Sequence, residues 1–229
     1  MENPSLIIGA DKWATKESKL LGYRTINSKY LPIEIDTLRA SSATVVNENG
    51  VLENACYNLL SYSEEFDNAN WVKSVSTVIA NSINNDLGQL TADKIIPNNG
   101  VGLTGAYIYQ NYAVNIGDTI NFSFHAKAGG FNNARVFASG YGNAVIIFDL
   151  LNGAVTEGTG TIENLQNGWY KCSLSGTAIA TSISLRIYPF DTPTSSGAGN
   201  GNGVDGIYAT KAQLTQGTTL RPYQATTNR

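Results

Sequence analysis

From residue 57 onward, short apolar runs alternate with turns rich in Gly and Asn, and side chains within the runs repeat with a period of two. In Asn121-Phe122-Ser123-Phe124-His125-Ala126 the apolar residues take every second position, as in a strand with one buried face. The same reading predicts strands over residues 75–80, 90–96, 107–114, 119–127, 134–139, 144–149, 169–175, 182–188 and 206–214. About nine or ten strands at this spacing imply a mainly β fold, a two-sheet sandwich or barrel. Helical periodicity is absent here, and so is the self-similarity of a solenoid or propeller. The run from Thr192 to Gly203 holds too much Gly for a strand and is expected to form a long mobile loop.

Residues 1–56 follow another pattern and carry four of the nine lysines. Asp11 to Leu21 reads as a short helix, capped by Asp11 and stopped by Gly22. Pro32 breaks the chain, and Ile33-Glu34-Ile35-Asp36 alternates like a strand. Val45-Val46 and Val51-Leu52 flank Asn47-Glu48-Asn49-Gly50, a hairpin signal because Asn and Gly tolerate positive φ. The chain is therefore expected to divide into a segment 1–56 and a domain 57–229.

Composition narrows the function classes. Apolar residues make up 42% of the 229 residues, enough for a packed core. Charged residues are only 14%, against roughly 25% in an average domain, with Asn, Thr, Ser and Gly supplying the polarity. The net charge of −3 and the absence of a Lys/Arg run argue against nucleic acid as a partner. Nothing approaches the length of a membrane span, and the first residues lack the basic and apolar regions of a secretion signal. Cys56 and Cys172 are expected to be isolated thiols, not a staple. With His125 the only histidine and no dense acidic loop, no metal or other cofactor is expected.

Three landmarks carry a resemblance. The first is Asn58-Leu59-Leu60, followed by Ser63-Glu64 and Trp71. The second is Gly168-Trp169-Tyr170-Lys171. The third is Ala212-Gln213-Leu214 with Gly217 and Arg221-Pro222-Tyr223. In this order they resemble the carbohydrate-binding-module-like jelly rolls of bacteriophage virion appendage proteins, of the head-fibre or tail-fibre type. Residues 39–53 resemble a linker that often precedes such domains. Gln216 departs from the pattern, standing where an acidic residue is common. The resemblance implies a two-sheet antiparallel jelly-roll sandwich preceded by a short extended or helical N-terminal anchoring segment.

Candidate sites follow from side-chain chemistry. Tyr107, Tyr109, Tyr141 and Tyr188 are candidates to stack on sugar, with Asn111, Asn143, Arg186 and Asp191 as polar neighbours. Tyr107 and Tyr109 share a strand face, with Tyr112 on the other. Trp71 and Trp169 are expected to fill the space between the sheets. Trp13, Leu20, Leu21, Tyr23 and Tyr30 are candidate docking residues, since large apolar side chains anchor interfaces. No catalytic residue is expected. Glu64-Glu65 would point apart if extended, His125 sits mid-strand, and the Gly-rich loop lacks the Lys-Ser/Thr of a phosphate loop.

The expected function is that of a structural, non-enzymatic virion protein, assembled in the host bacterial cytoplasm. It would be a homotrimeric head fibre or capsid decoration subunit, docked on a capsid or tail protein by its N-terminal segment and adhering to surface glycans. A tail-fibre or collar adhesin, a free-standing carbohydrate-binding module of a bacterial polysaccharide system, and a depolymerising enzyme are the alternatives.

Overall fold

Backbone hydrogen bonding divides the C-terminal unit into two six-stranded sheets, all of whose paired strands run antiparallel. The computed structural model describes residues 58–142, 144–196, 198–218 and 220–227, and upstream of them only strand segments. The chain separates into units Met1–Cys56 and Tyr57–Arg229.

In the first unit, β1 (Thr15–Lys16) pairs with β2 (Lys19–Leu20), β3 (Tyr23–Ile26) with β4 (Lys29–Pro32), and β5 (Thr44–Val46) with β6 (Leu52–Asn54). The hairpin expected around Asn47–Gly50 is therefore present, with Val46 opposite Leu52. The helix expected over residues 11–21 is not: strands β1 and β2 occupy that stretch. A helix of about three turns cannot outlast its nucleation cost without a surface to dock on, and Thr15 is β-branched. Leu20, Tyr23 and Tyr30 lie on strands, whereas Trp13, Leu21, the strand expected at 33–36 and Cys56 fall outside the described residues.

The second unit is a jelly-roll sandwich. Its strands are β7 (Val72–Ser74), β8 (Ser76–Ile83), β9 (Ala92–Pro97), β10 (Tyr107–Ala113), β11 (Thr119–Gly129), β12 (Asn133–Ser139), β13 (Ala144–Asp149), β14 (Ala154–Glu157), β15 (Thr161–Gln166), β16 (Trp169–Thr177), β17 (Ser182–Phe190) and β18 (Gly206–Gln216). The first sheet has the order β14-β13-β12-β17-β10-β7, the second β15-β16-β11-β18-β9-β8. Leu103–Gly105 forms a single 3₁₀ turn. Alternation sends Phe122, Phe124 and Ala126 of β11, Val136 of β12 and Leu185 and Ile187 of β17 into one core between the sheets.

The three sequence landmarks find their reasons here. Asn58 is fully buried; its Oδ1 accepts the backbone N–H of Leu60 and of Leu214, and its Nδ2 donates to the carbonyls of Ala212 and Gln224. Ser63 meets Tyr223 hydroxyl to hydroxyl at 2.7 Å and accepts the N–H of Thr226. The opening and closing motifs are thus one joint. Trp71 packs edge-on against Phe66 in the core and donates its Nε1–H to the Tyr62 carbonyl. Trp169 does not fill the intersheet space. Its neighbour Tyr170 does, and alternation turns Trp169 to the opposite face, where it is also buried.

The Gly-rich stretch expected to be mobile is pinned instead. Ser195 donates its N–H and hydroxyl to Glu157, Gly199 donates its N–H to Asp191, and Gly201 donates to Val101. A Cβ on Gly201 would collide with the Asn98 carbonyl, so Gly stands there for close backbone approach.

Asp93 is buried and accepts the N–H groups of Phe66 and Asn81. Burial pushes its carboxyl up to about 6, against the pull of those bonds. A carboxyl whose folded value exceeds its unfolded one favours folding below the unfolded value, and that contribution is lost as pH rises through the folded one. The stability of the wild type relative to Asp93→Asn should therefore fall by about 2–3 kcal/mol between about pH 4 and pH 7, read from chemical denaturation at each pH. Asn58→Ala orphans several buried backbone groups; it should cost about 3 kcal/mol and lower Tm by roughly 10 °C, whereas Asn70→Ala on an exposed turn should leave calorimetric Tm nearly unchanged.

Candidate functional site

Alternation along three strands of the first sheet turns an aromatic and cationic face away from the core. On β10 the outward residues are Tyr107, Tyr109 and Asn111, while Ile108 and Tyr112 pack toward the core. On β12 the core takes Ala134, Val136 and Ala138, leaving Asn133, Arg135 and Phe137 outside. On β17 the core takes Ile183, Leu185 and Ile187, leaving Ser184, Arg186 and Tyr188 outside.

Register lines these residues up across the sheet. Tyr109 lies opposite Arg186, and Arg186 opposite Phe137. One step along, Arg135 lies opposite Tyr188. The ring centroids of Tyr107 and Tyr188 are 4.7 Å apart, and those of Tyr107 and Tyr109 5.7 Å. The Arg186 guanidinium sits 5.0 Å from the Tyr107 ring centre, 5.3 Å from that of Phe137 and 5.9 Å from that of Tyr109. Tyr107, Tyr109, Phe137 and Arg186 are each half-buried, so their outer edges stay open to solvent.

Beside this open patch the same face continues into an apolar cluster of Leu103, Ile147, Tyr188 and Phe190, with Ala198 of the pinned stretch packed against it. Ala198 therefore covers this end of the face. The geometry suits a ligand that offers flat apolar faces to rings and hydroxyls to Asn111, Ser184 and the arginines.

Of the residues expected at a sugar site, Tyr107, Tyr109, Asn111 and Arg186 come together on this face. Tyr188 lies beneath them at 2% exposure and serves as a floor. Tyr141 does not belong to the site. It is 6% exposed within the core and donates its hydroxyl to the Ile120 carbonyl, and burial raises its phenol. Asp191 is exposed but engaged by the Gly199 N–H, where it shapes the turn. Asn143 falls outside the described residues. Sequence reasoning missed Arg135 and Phe137. The alternation in Asn133-Ala134-Arg135-Val136-Phe137-Ala138 was the available signal.

The outer face of the second sheet differs. It is polar yet buried, with Asn121, Ser123, His125, Ser173, Gln213 and Thr215 on it. Between Ser123 and His125 the pairing with β18 shifts, and Lys211 sits in that bulge with φ +53°. Its ammonium donates to both Asp86 oxygens at 2.8 and 3.0 Å. His125 Nδ1 lies 3.1 Å from Asp86 Oδ1, off the line of a proper hydrogen bond. Burial alone would raise the Asp86 carboxyl, but Lys211 and His125 outweigh it and hold the group below the usual range. Burial pushes the His125 imidazole down, against the pull of Asp86. The trio fastens the turn after β8 onto the sheet. A shallow cleft of about 300 Å³ at the edge of this sheet is lined by Thr159, Thr161, Ser173, Ser175 and Leu220 and holds no titratable group.

Cys172 is a free thiol sealed in the core, its value raised by burial. Among the described residues no group of three His, Cys, Asp or Glu could hold a metal ion, and no helix is long and apolar enough to cross a membrane.

No protein-family model matches the chain, and no curated protein matches it. Among solved structures it is similar to the enzymatically active domain of bacteriophage CBA120 tailspike protein 4, at 18% identity and a TM-score of 0.42, over 69% of this chain and 21% of that one. This chain thus spans about a fifth of that tailspike structure. It is also similar to TmCBM61 in complex with β-1,4-galactotriose, at 13% identity and a TM-score of 0.41, over 70% of this chain and 99% of that one. A third likeness is to the CBM22-1 xylan-binding domain from Paenibacillus barcinonensis, at 14% identity and a TM-score of 0.41, over 71% of this chain and 96% of that one.

Proposed function

We propose that the jelly roll is a non-catalytic glycan-binding module, and that the ligand lies on the outer face of the first sheet. One observation carries the reading: Tyr107, Tyr109, Arg186 and Phe137 form a half-open row across three neighbouring strands. Rings of this kind stack on the C–H faces of sugars, and the flanking Asn111 and Ser184 can read hydroxyls. The face is built on strands, so the rings are placed before any ligand arrives, which lowers the cost of binding.

We further propose that the chain is a virion protein, a phage head fibre or capsid decoration subunit that docks through residues 1–56 and displays the jelly roll. The ordered landmarks at 58–71, 168–171 and 212–223 support this placement. Such a subunit, present in several copies and most simply as a trimer, would hold surface glycans by avidity, each site binding weakly. The runner-up is a free-standing carbohydrate-binding module with the same ligand face.

Tyr109→Ala should weaken binding to any glycan the wild type retains by about tenfold or more, with Tm within a few degrees of wild type, as read by affinity electrophoresis and calorimetry. A glycan array on which the full chain binds nothing would refute the ligand reading. Removal of residues 1–38 should abolish incorporation into particles while leaving the jelly roll folded by circular dichroism. If the truncated chain still decorates particles, the docking assignment fails.

A further inference from the structure

Arg135 and Arg186 lie on neighbouring strands of the proposed glycan face, and among the described residues neither has a counter-ion. Arg135 is opposite Tyr188 and Arg186 opposite Phe137, which makes the two arginines diagonal neighbours across β12 and β17. Like charges at that spacing repel, and here no carboxylate separates them. The ion pairs formed by Asp86 belong to the other sheet. Carboxylates at the margin of the face are already engaged, Glu157 by Ser195, Asp191 by Gly199, and Asp149 by Leu151 and Asn152.

The hydrogen-bonding of the two guanidinium groups is also incomplete. Arg135 Nε and Nη1 are buried with no hydrogen-bond partner. What holds the group is aromatic: Tyr188 at 4.5 Å, Phe190 at 5.7 Å and Phe137 at 5.8 Å from ring centre to guanidinium carbon. Arg186 makes only a long 3.4 Å bond from Nε to Ser184 Oγ. Buried N–H donors without acceptors cost free energy, and Arg135 bears that cost beside the half-buried Arg186. Asn133, on the same strand face as Arg135, adds a buried Oδ1 with no donor.

We infer that this face selects anionic glycans, with Arg135 and Arg186 receiving the acid group while Tyr107, Tyr109 and Phe137 hold the sugar. This rests on the glycan reading above and narrows it to a chemical class. The planar guanidinium fork matches both carboxylate and phosphate oxygens, so the shared chemistry is a sugar bearing either. Ring stacking fixes each guanidinium before the ligand arrives, so little rotamer entropy is lost on binding. The attraction is local, because the chain as a whole carries a net charge of −3.

The test uses the full chain on an array of paired neutral and acidic glycans, followed by affinity electrophoresis in three gels. These contain polygalacturonate, the same polymer after carboxyl reduction, and a glycerol-phosphate teichoic acid. Wild type should bind polygalacturonate or the teichoic acid at least about tenfold more tightly than the reduced polymer, and the gel retained identifies the acid as carboxylate or phosphate. That affinity should drop as NaCl rises from about 50 to about 500 mM. Arg186→Met, at a half-buried position, should lower acidic binding about tenfold or more beyond whatever it takes from neutral binding, and Arg186→Lys should restore only part of that difference. Arg135→Met should do the same if it folds, which its melting curve reports. Equal binding to acidic and neutral partners, or equal losses for both in Arg186→Met, would overturn the selection and leave the glycan reading standing. Binding to no glycan on the array would overturn both.

Discussion

The fold depends on a joint between the beginning and the end of the domain. The last strand, β18, lies in the middle of the second sheet between β11 and β9, so the sheet is incomplete until the chain has nearly ended. Asn58 then ties the first residues of the domain to it, satisfying Leu60, Ala212, Leu214 and Gln224 with one amide. An amide side chain suits this place because it offers acceptor and donor together to two backbones that meet at an angle. The closing segment adds Tyr223 on Ser63, while Gln213 bonds the carbonyls of Arg221 and Pro222. Long-range closure of this kind is entropically slow to form, and the buried bonds hold it once made.

With the sandwich closed, the two outer faces take opposite characters. The second sheet covers its outer face with buried polar side chains, some of which bond one another and the overlying chain, as Asn121 does with Ser175 and the Gly217 carbonyl, while the hydroxyls of Thr210 and Thr215 find no partner among the described residues. Its bulge at Lys211 places an ammonium where the Asp86 turn can be fastened down. That face is spent on structure. The first sheet leaves a row of rings and two guanidinium groups half-open, with two Arg135 donors that nothing among the described residues accepts. Polar groups left incomplete on a half-open face are where a ligand gains most, since binding completes bonds that folding did not.

This division explains why the aromatic residues of the chain serve unlike ends. Trp71 and Phe66 anchor the opening motif in the core, and Tyr141 braces the Ile120 carbonyl from within. Tyr107 and Tyr109 use the same kind of ring as a platform. The difference lies in which side of the sheet each position faces, and for Tyr141 in its place on a turn.

Much of the fold was legible because strands with one core face write their period into the sequence. The nine strands read from alternation, from β8 to β13 and from β16 to β18, are all present. Those not foreseen, β7, β14 and β15, are edge strands whose side chains are mostly exposed or half-buried, so no apolar alternation marked them. Half of the ligand face could be read as well, since Tyr107, Tyr109 and Asn111 share one strand and alternation alone puts them together. Arg186, Arg135 and Phe137 join them only through the register of β10, β17 and β12, which depends on strands more than about 40 residues apart pairing correctly. Tyr141 was misjudged because composition says that a tyrosine can meet a ligand, whereas burial decides whether it does. Local periodicity thus determined which residues form strands and which faces they offer. Only the tertiary pairing decided which faces meet, because hydrogen-bond register between distant strands is not written in the period of either one.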